Sequence, residues 1–216
     1  METAGSTSRD ELMREAERLF GTHGVEAVTL RDIVRAAGHR NESAVQYYFG
    51  SKRKLVDAVV AKRLRHIEAR RIAMLAKIEA DGATREPLRL MAAFVEPLAD
   101  EVLNEPGGED YIRFLAQAIT RPGFNIVEHI AKLNLPGMVG VTRYMRALSH
   151  RAPLEIQKLR ERMAIIAVVT GLAGWLDNGR RIPHKRMIRE LIESGAALLA
   201  RAPAPNSGAR RGDKPC

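Results

Sequence analysis

This 216-residue chain predicts an all-α fold, on three observations. Apolar residues recur at helical spacing along most of its length, and no stretch alternates apolar and polar as a half-buried strand would. Ala, Leu, Ile and Arg are prominent, and aromatics make up only 5%, a balance that favours helices. Gly and Pro gather at intervals between the periodic stretches and act as punctuation.

The elements follow in order. Ser8-Arg-Asp-Glu11 has the form of a capping box, so a first helix is expected to start there. Leu12, Ala16, Leu19 and Phe20 mark its packed face, and Gly21 and Gly24 end it. Thr29-Leu-Arg-Asp32 repeats the capping logic with a shorter acid. Leu30, Ile33, Val34 and Ala37 then give the face of a two-turn helix closed by Gly38. After a short polar turn, Val45, Tyr48 and Phe49 form the packed face of another short helix. Gly50 supplies a left-handed stop, and Ser51 caps a longer helix through Leu55, Val59 and Leu64 towards Asp81-Gly82. Two short helices joined by a tight turn and braced by longer ones form a helix-turn-helix. The rest reads as further helices with breaks near 84–87, 104–108, 121–123, 136–140, 150–153 and 178–183. The expected organisation is a helix-turn-helix domain at 1–60 and a larger helical domain at 61–200. A basic tail at 201–216 has too little apolar matter to pack and is expected to be disordered.

Composition excludes several classes. Cys216 is the single cysteine, so no disulfide framework exists and a reducing cytoplasm is the expected setting. METAGSTSRDE lacks the basic-then-apolar order of a signal peptide. The longest apolar run, 164–176, is short of the roughly 20 residues that cross a bilayer, so no membrane partner is expected. The six histidines show no HExxH or similar ligand spacing, and GxSxG, P-loop and GxGxxG motifs are absent. Ser149-His150 and Glu128-His129 are isolated pairs with a surface reading. An enzyme is not expected, and neither catalytic residues, a cofactor nor a metal is assigned.

The net charge of +9 suits a polyanionic partner, yet residues 1–55 carry nine basic and eight acidic side chains. Bulk charge therefore does not locate a DNA contact, and the local motif must. With Val45, Tyr48 and Phe49 inward, helical spacing turns Ser43, Ala44, Gln46 and Tyr47 outward. Gln pairs with adenine, Ala meets a thymine methyl, and a Tyr ring and hydroxyl reach a base or phosphate. Lys52, one turn on, is placed for a phosphate, as is Thr29 at a helix start. Arg40 and Asn41 in the turn are further phosphate candidates. Each has a plainer reading. Ser43-Ala-Val-Gln46 is itself a capping box that could engage Gln46, Tyr48 is equally suited to the core, and Lys52 to solvent. Glu42 reads as a turn residue or a cytosine contact.

The run Leu19-Phe20, Gly24, Thr29-Leu30, Ile33, Ala36-Ala37-Gly38, Tyr48-Phe49, Ser51-Lys52 and Leu55 resembles the DNA-binding domain of TetR-type transcriptional regulators. The resemblance covers about the first 60 residues. It implies DNA contacts at Thr29, Ala44, Gln46, Tyr47, Tyr48 and Lys52. The turn between Gly38 and Phe49 is one residue longer than the common family pattern, so Arg40, Asn41 and Glu42 have no one-for-one counterparts.

In the larger domain, 164–176 is apolar on nearly every side, and Met187, Ile188, Leu191, Ile192, Gly195, Leu198 and Leu199 form a continuous stripe. A two-fold dimer through Ile166, Thr170, Met187, Ile188, Leu191, Ile192, Gly195 and Leu198 fits, the rival being burial of these helices within one chain. Met91, Phe94, Phe114, Met138, Tyr144 and Trp175 suit either an apolar effector pocket or plain core. The resemblance implies such a pocket without naming its ligand. The expected function is a homodimeric repressor on a palindromic double-stranded operator, released by a small hydrophobic effector. The alternative is an activator, or a DNA-binding regulator whose large domain senses a protein partner.

Overall fold

A computed structural model describes residues 2–39, 43–120, 130 and 132–200. Among these residues the fold is all-α: α1 (Glu2–His23), α2 (Leu30–Ala36), α3 (Ala44–Phe49), α4 (Lys52–Ala80), α5 (Pro87–Asn104), α6 (Gly108–Thr120), α7 (Pro136–Leu148), α8 (Leu154–Asp177) and α9 (His184–Ala200). No helix among them is long and apolar enough to cross a membrane. The breaks expected at 84–87, 104–108, 150–153 and 178–183 fall at helix junctions.

Two expectations are corrected. α1 starts at Glu2 and carries Ser8 inside it, so the Ser8–Glu11 box does not start the helix. No proline precedes Ser8 to bar the helix from extending back. The region 136–140 is the first turn of α7, because Pro136 occupies the start of the helix, where its missing N–H is not needed. The breaks expected near 121–123, the turn residues 40–42 and the tail 201–216 lie outside the described residues.

A small head forms from α1, α2, α3 and the start of α4. Leu12, Ala16, Phe20, Ile33, Val45, Phe49, Leu55 and Val59 are buried together there. The 29 residues of α4 span about 43 Å at 1.5 Å per residue. They pass residue 60 without a break, so head and body share one helix. Further along, Leu64, Ile67, Leu75 and Ile78 of α4 are buried against the body. Buried apolar residues from Leu12 to Leu199 form one continuous core.

Arg63 fastens the two parts. Its Nε donates to Glu17 Oε1 at 2.8 Å and its Nη2 to Glu17 Oε2 at 2.6 Å, joining α4 to α1. Its Nη1 donates to Glu101 Oε1 on α5 at 2.8 Å, and Nη2 also to the Pro106 carbonyl at 2.7 Å. All three charged side chains are buried. Burial holds the carboxyls of Glu17 and Glu101 above their ordinary 4.5, against the opposing pull of Arg63. A carboxyl whose folded value is raised contributes most below the unfolded value, and loses that contribution as pH rises through the folded one.

Arg63→Met should therefore strand two buried carboxylates and lower stability in urea by about 3–5 kcal/mol near neutral pH. Glu101→Gln, with one buried charge fewer, should flatten the loss of stability as pH is raised from 4.5. Urea titrations of both variants across pH check the sign.

Candidate nucleic-acid interface

The helix-turn-helix is built locally as its capping residues dictate. Thr29 Oγ1 accepts from the Asp32 amide at 3.2 Å, and Asp32 Oδ2 accepts from the Thr29 amide at 2.9 Å. The hydroxyl also donates to Asp32 Oδ2 at 2.6 Å, and these bonds hold the Asp32 carboxyl below its ordinary value. Thr29 is thus engaged in its own capping box. At the other end of the motif Gly50 takes φ +74°, a left-handed conformation glycine adopts without strain, and ends α3. Ser51 then accepts from the Lys54 amide at 3.2 Å and starts α4.

Between these caps α3 has two faces. Val45 and Phe49 are buried, while Ser43, Gln46 and Tyr47 are exposed. Ala44 and Tyr48 are half-buried and pack on the core. Tyr47 is 81% exposed, its ring resting edge-on against Tyr48 at 4.9 Å. Ser43 makes no side-chain capping bond, so Gln46 is not held by the reciprocal box that Ser43-Ala-Val-Gln46 suggested. Lys52 is half-buried and donates to the Glu26 carbonyl at 3.4 Å, across from the α1–α2 turn. Burial lowers its pKa from 10.5. The Arg9 guanidinium of α1 lies 5.1 Å from the centre of the Phe49 ring, a contact no local motif announces. Arg40 and Asn41, with Glu42, lie outside the described residues.

A second feature sits in the body, where α4, α5, α6, α7 and α8 enclose a cavity of about 60 Å³. Of the six residues offered for a pocket or for core, Phe94 and Met138 line it. The other four pocket candidates lie elsewhere. Met91 lays the end of its side chain against Gly195, with Cε close to where a Cβ would come. Phe114 stacks between Phe20 at 5.9 Å and Tyr111 at 6.1 Å. Tyr144 donates to Glu79 Oε1 at 2.8 Å, and Trp175 Nε1 donates to the Ile182 carbonyl at 2.7 Å. Sequence reading missed Arg71 and Tyr111, which also line the cavity. The signal was present: Arg63, Ile67, Arg71, Leu75 and Ile78 share one face of α4 at helical spacing.

The apolar stripe of α9 is divided. Met187 and Gly195 are buried within the chain. Ile188, Leu191, Ile192 and Leu198 are half-buried, as are Ile166 and Thr170 of α8. Ile188 and Ile192 flank a shallow groove with Leu88 and Ala92 of α5.

A short helix-turn-helix with an outward polar and aromatic face, carried on a larger helical body, defines a DNA-binding regulator. Residues 12–59 match the bacterial regulatory proteins of the tetR family, so the head carries a TetR-type DNA-binding domain. Solved structures share its fold at low identity. Native NalD of Pseudomonas aeruginosa, the secondary repressor of the MexAB-OprM multidrug efflux pump, is 18% identical, with TM-score 0.55 over 88% of this chain and 96% of that one. PfmR of Thermus thermophilus, a TetR family transcriptional regulator, is 19% identical, with TM-score 0.52 over 91% and 98%. FadR of Bacillus subtilis, in complex with stearoyl-CoA, is 12% identical, with TM-score 0.50 over 88% and 96%. No curated protein matches the chain.

The two faces of α3 separate stability from surface. Phe49→Ala should lower stability by about 3–5 kcal/mol through loss of a buried ring. Tyr47→Ala forfeits only an edge contact, worth about 0.5–1.5 kcal/mol. Melting followed by circular dichroism should place Tyr47→Ala near the parent and Phe49→Ala far below it.

Proposed function

We propose that the chain is a homodimeric repressor that reads a palindromic DNA operator through α3 and is released by a small hydrophobic effector. The observation that carries this reading is Tyr47, a large ring left 81% exposed on a helix whose opposite face is fully buried. Residues 1–60 act as the reading head and 61–200 as the sensing and dimerising body. Gln46 addresses a base edge, Ala44 a thymine methyl, and Tyr47 a base or phosphate, with Ser43 and Tyr48 beside them. Lys52 and Thr29 face the backbone once each exchanges its present partner for a phosphate. Arg40 and Asn41 in the turn supplement them.

The half-buried apolar residues Ile166, Ile188, Leu191, Ile192 and Leu198 supply a surface for a two-fold partner, with Thr170 alongside, and a two-fold protein reads paired half-sites. Within the body, the apolar cavity is the effector's seat. FadR holds stearoyl-CoA, so this fold can take up an acyl ligand. The effector weakens operator binding by as much as it prefers the DNA-free arrangement.

Gln46→Ala should weaken operator binding by about 1–3 kcal/mol and relax preference at one base pair per half-site. Lys52→Ala should weaken all sequences alike and lower the salt slope by about one. DNA titrations at several salt concentrations distinguish the two, and a Tyr47→Ala protein with full operator affinity would sink the assignment of this face. Leu191→Arg should yield monomers by light scattering, and a monomeric parent at micromolar concentration would overturn the dimer.

A further inference from the structure

Two donors in the cavity wall have no acceptor. Arg71 is 2% exposed, and its Nε–H is unpartnered. Its Nη1 reaches Glu68 Oε2 at 3.3 Å, and its guanidinium lies 5.4 Å from the centre of the Phe94 ring. Tyr111 is fully buried, and its hydroxyl is also unpartnered. Both residues line the same cavity. The surrounding wall is apolar, formed by Leu64, Phe94, Leu98, Leu115, Met138 and Val169. Buried donors without acceptors destabilise a protein until something accepts from them. A purely hydrocarbon guest leaves both unmet.

Charges already in place decide what kind of acceptor fits. The charge of Arg71 is answered by Glu68, whose Oε1 accepts from the Met138 amide at 3.2 Å and also from the Gly137 amide. About two turns earlier on α4, the single guanidinium of Arg63 is shared by Glu17 and Glu101. Along this stretch of α4, three buried carboxyls thus accompany two guanidiniums, and burial already resists ionisation of Glu17 and Glu101. A carboxylate guest would add charge of the sign in excess. A neutral carbonyl oxygen takes both hydrogen bonds and adds none.

We propose that the cavity takes an uncharged hydrophobic carbonyl compound, such as an ester, lactone, amide or ketone. Its oxygen accepts from Arg71 Nε–H and Tyr111 O–H, and its hydrocarbon lies along Phe94, Leu115 and Met138. At about 60 Å³ the cavity holds the head and little more. The rest enters by moving side chains, of which the unbranched Met138 is the most adaptable. The inference rests on the effector reading above and specifies its ligand.

The test compares methyl octanoate, octanoate and octane on the full-length protein by calorimetric titration and melting. Methyl octanoate should raise the melting temperature and bind at least about tenfold tighter than either of the others, the worth of one well-made hydrogen bond or more. Tyr111→Phe loses a hydroxyl that has no partner, so its melting temperature should not fall. It should nonetheless lose most of the preference for the ester over octane. Octanoate binding tighter than the ester, ester and octane binding equally, Tyr111→Phe keeping the full preference, or no probe binding at all would each overturn the carbonyl assignment. The probe comparison on the parent protein needs no variant to fold. The broader effector reading is judged separately, by operator release with a diverse hydrophobic panel. A panel member that releases DNA while the three probes fail removes the carbonyl head alone, whereas a panel without any releaser removes the effector.

Discussion

The arrangement depends on one buried guanidinium. Arg63 uses Nε, Nη1 and Nη2 to hold Glu17 of α1, Glu101 of α5 and the Pro106 carbonyl at once. A lysine has a single ammonium and no planar fork, so it cannot serve partners in this geometry together. Excess negative charge makes the site a demanding one to bury, and burial lifts both carboxyls above their ordinary values. Such a cluster contributes little net stability as an ion pair, but it penalises any other placement of α1 on the body, because separation strands a buried charge. The head therefore has a defined seat although it is small and holds few core residues of its own.

A second joint lies at α6. Phe20 of α1 packs on Phe114 at 5.9 Å, and Gln117 donates to the Gly21 carbonyl. A Cβ at Gly21 would lie 2.6 Å from the Asp110 carbonyl oxygen, so α1 and α6 meet backbone to backbone. On the same helix Tyr111 lines the cavity and sets its ring at a tilt against Phe114. One short helix thus has the cavity on one side and the head on the other. The close packing leaves α6 little room to move without moving α1.

Local features were legible in the sequence because local forces make them. The Thr29–Asp32 capping box, the Gly50 stop, the burial of Val45 and Phe49 and most helix junctions are set within a few residues of chain. The start of α1 escaped because a capping signal, Ser8–Glu11, stood inside the helix. The lining of the cavity was legible only in part, for a different reason. Met91, Phe114, Tyr144 and Trp175 have the size and polarity of pocket residues, but which space each fills is set by helices far away in sequence. Arg63 and Arg71 stand in the run RLRHIEARR, which reads as a solvated basic face until Ile67 and Leu75 are noticed on the same side of the helix. The α9 stripe was visible as a stripe, yet Met187 and Gly195 spend their apolar surface inside the chain.

Magnitudes constrain how an effector in the cavity would act on the head under the proposed function. Arg63 and Arg71 are eight residues apart on α4, about 12 Å, with Glu68 between them capping α7 through the Gly137 and Met138 amides. An effector that prefers one arrangement a hundredfold supplies about 2.7 kcal/mol. Breaking the Arg63 cluster is opposed by about 3–5 kcal/mol, so such a ligand does not release the head from its seat. The smaller energy suffices for a tilt of α4 and α6 that keeps the cluster closed and carries α1, α2 and α3 along as one body. In a two-fold dimer that tilt changes the spacing of two α3 helices, and half-site spacing is what a rigid pair of reading heads must match.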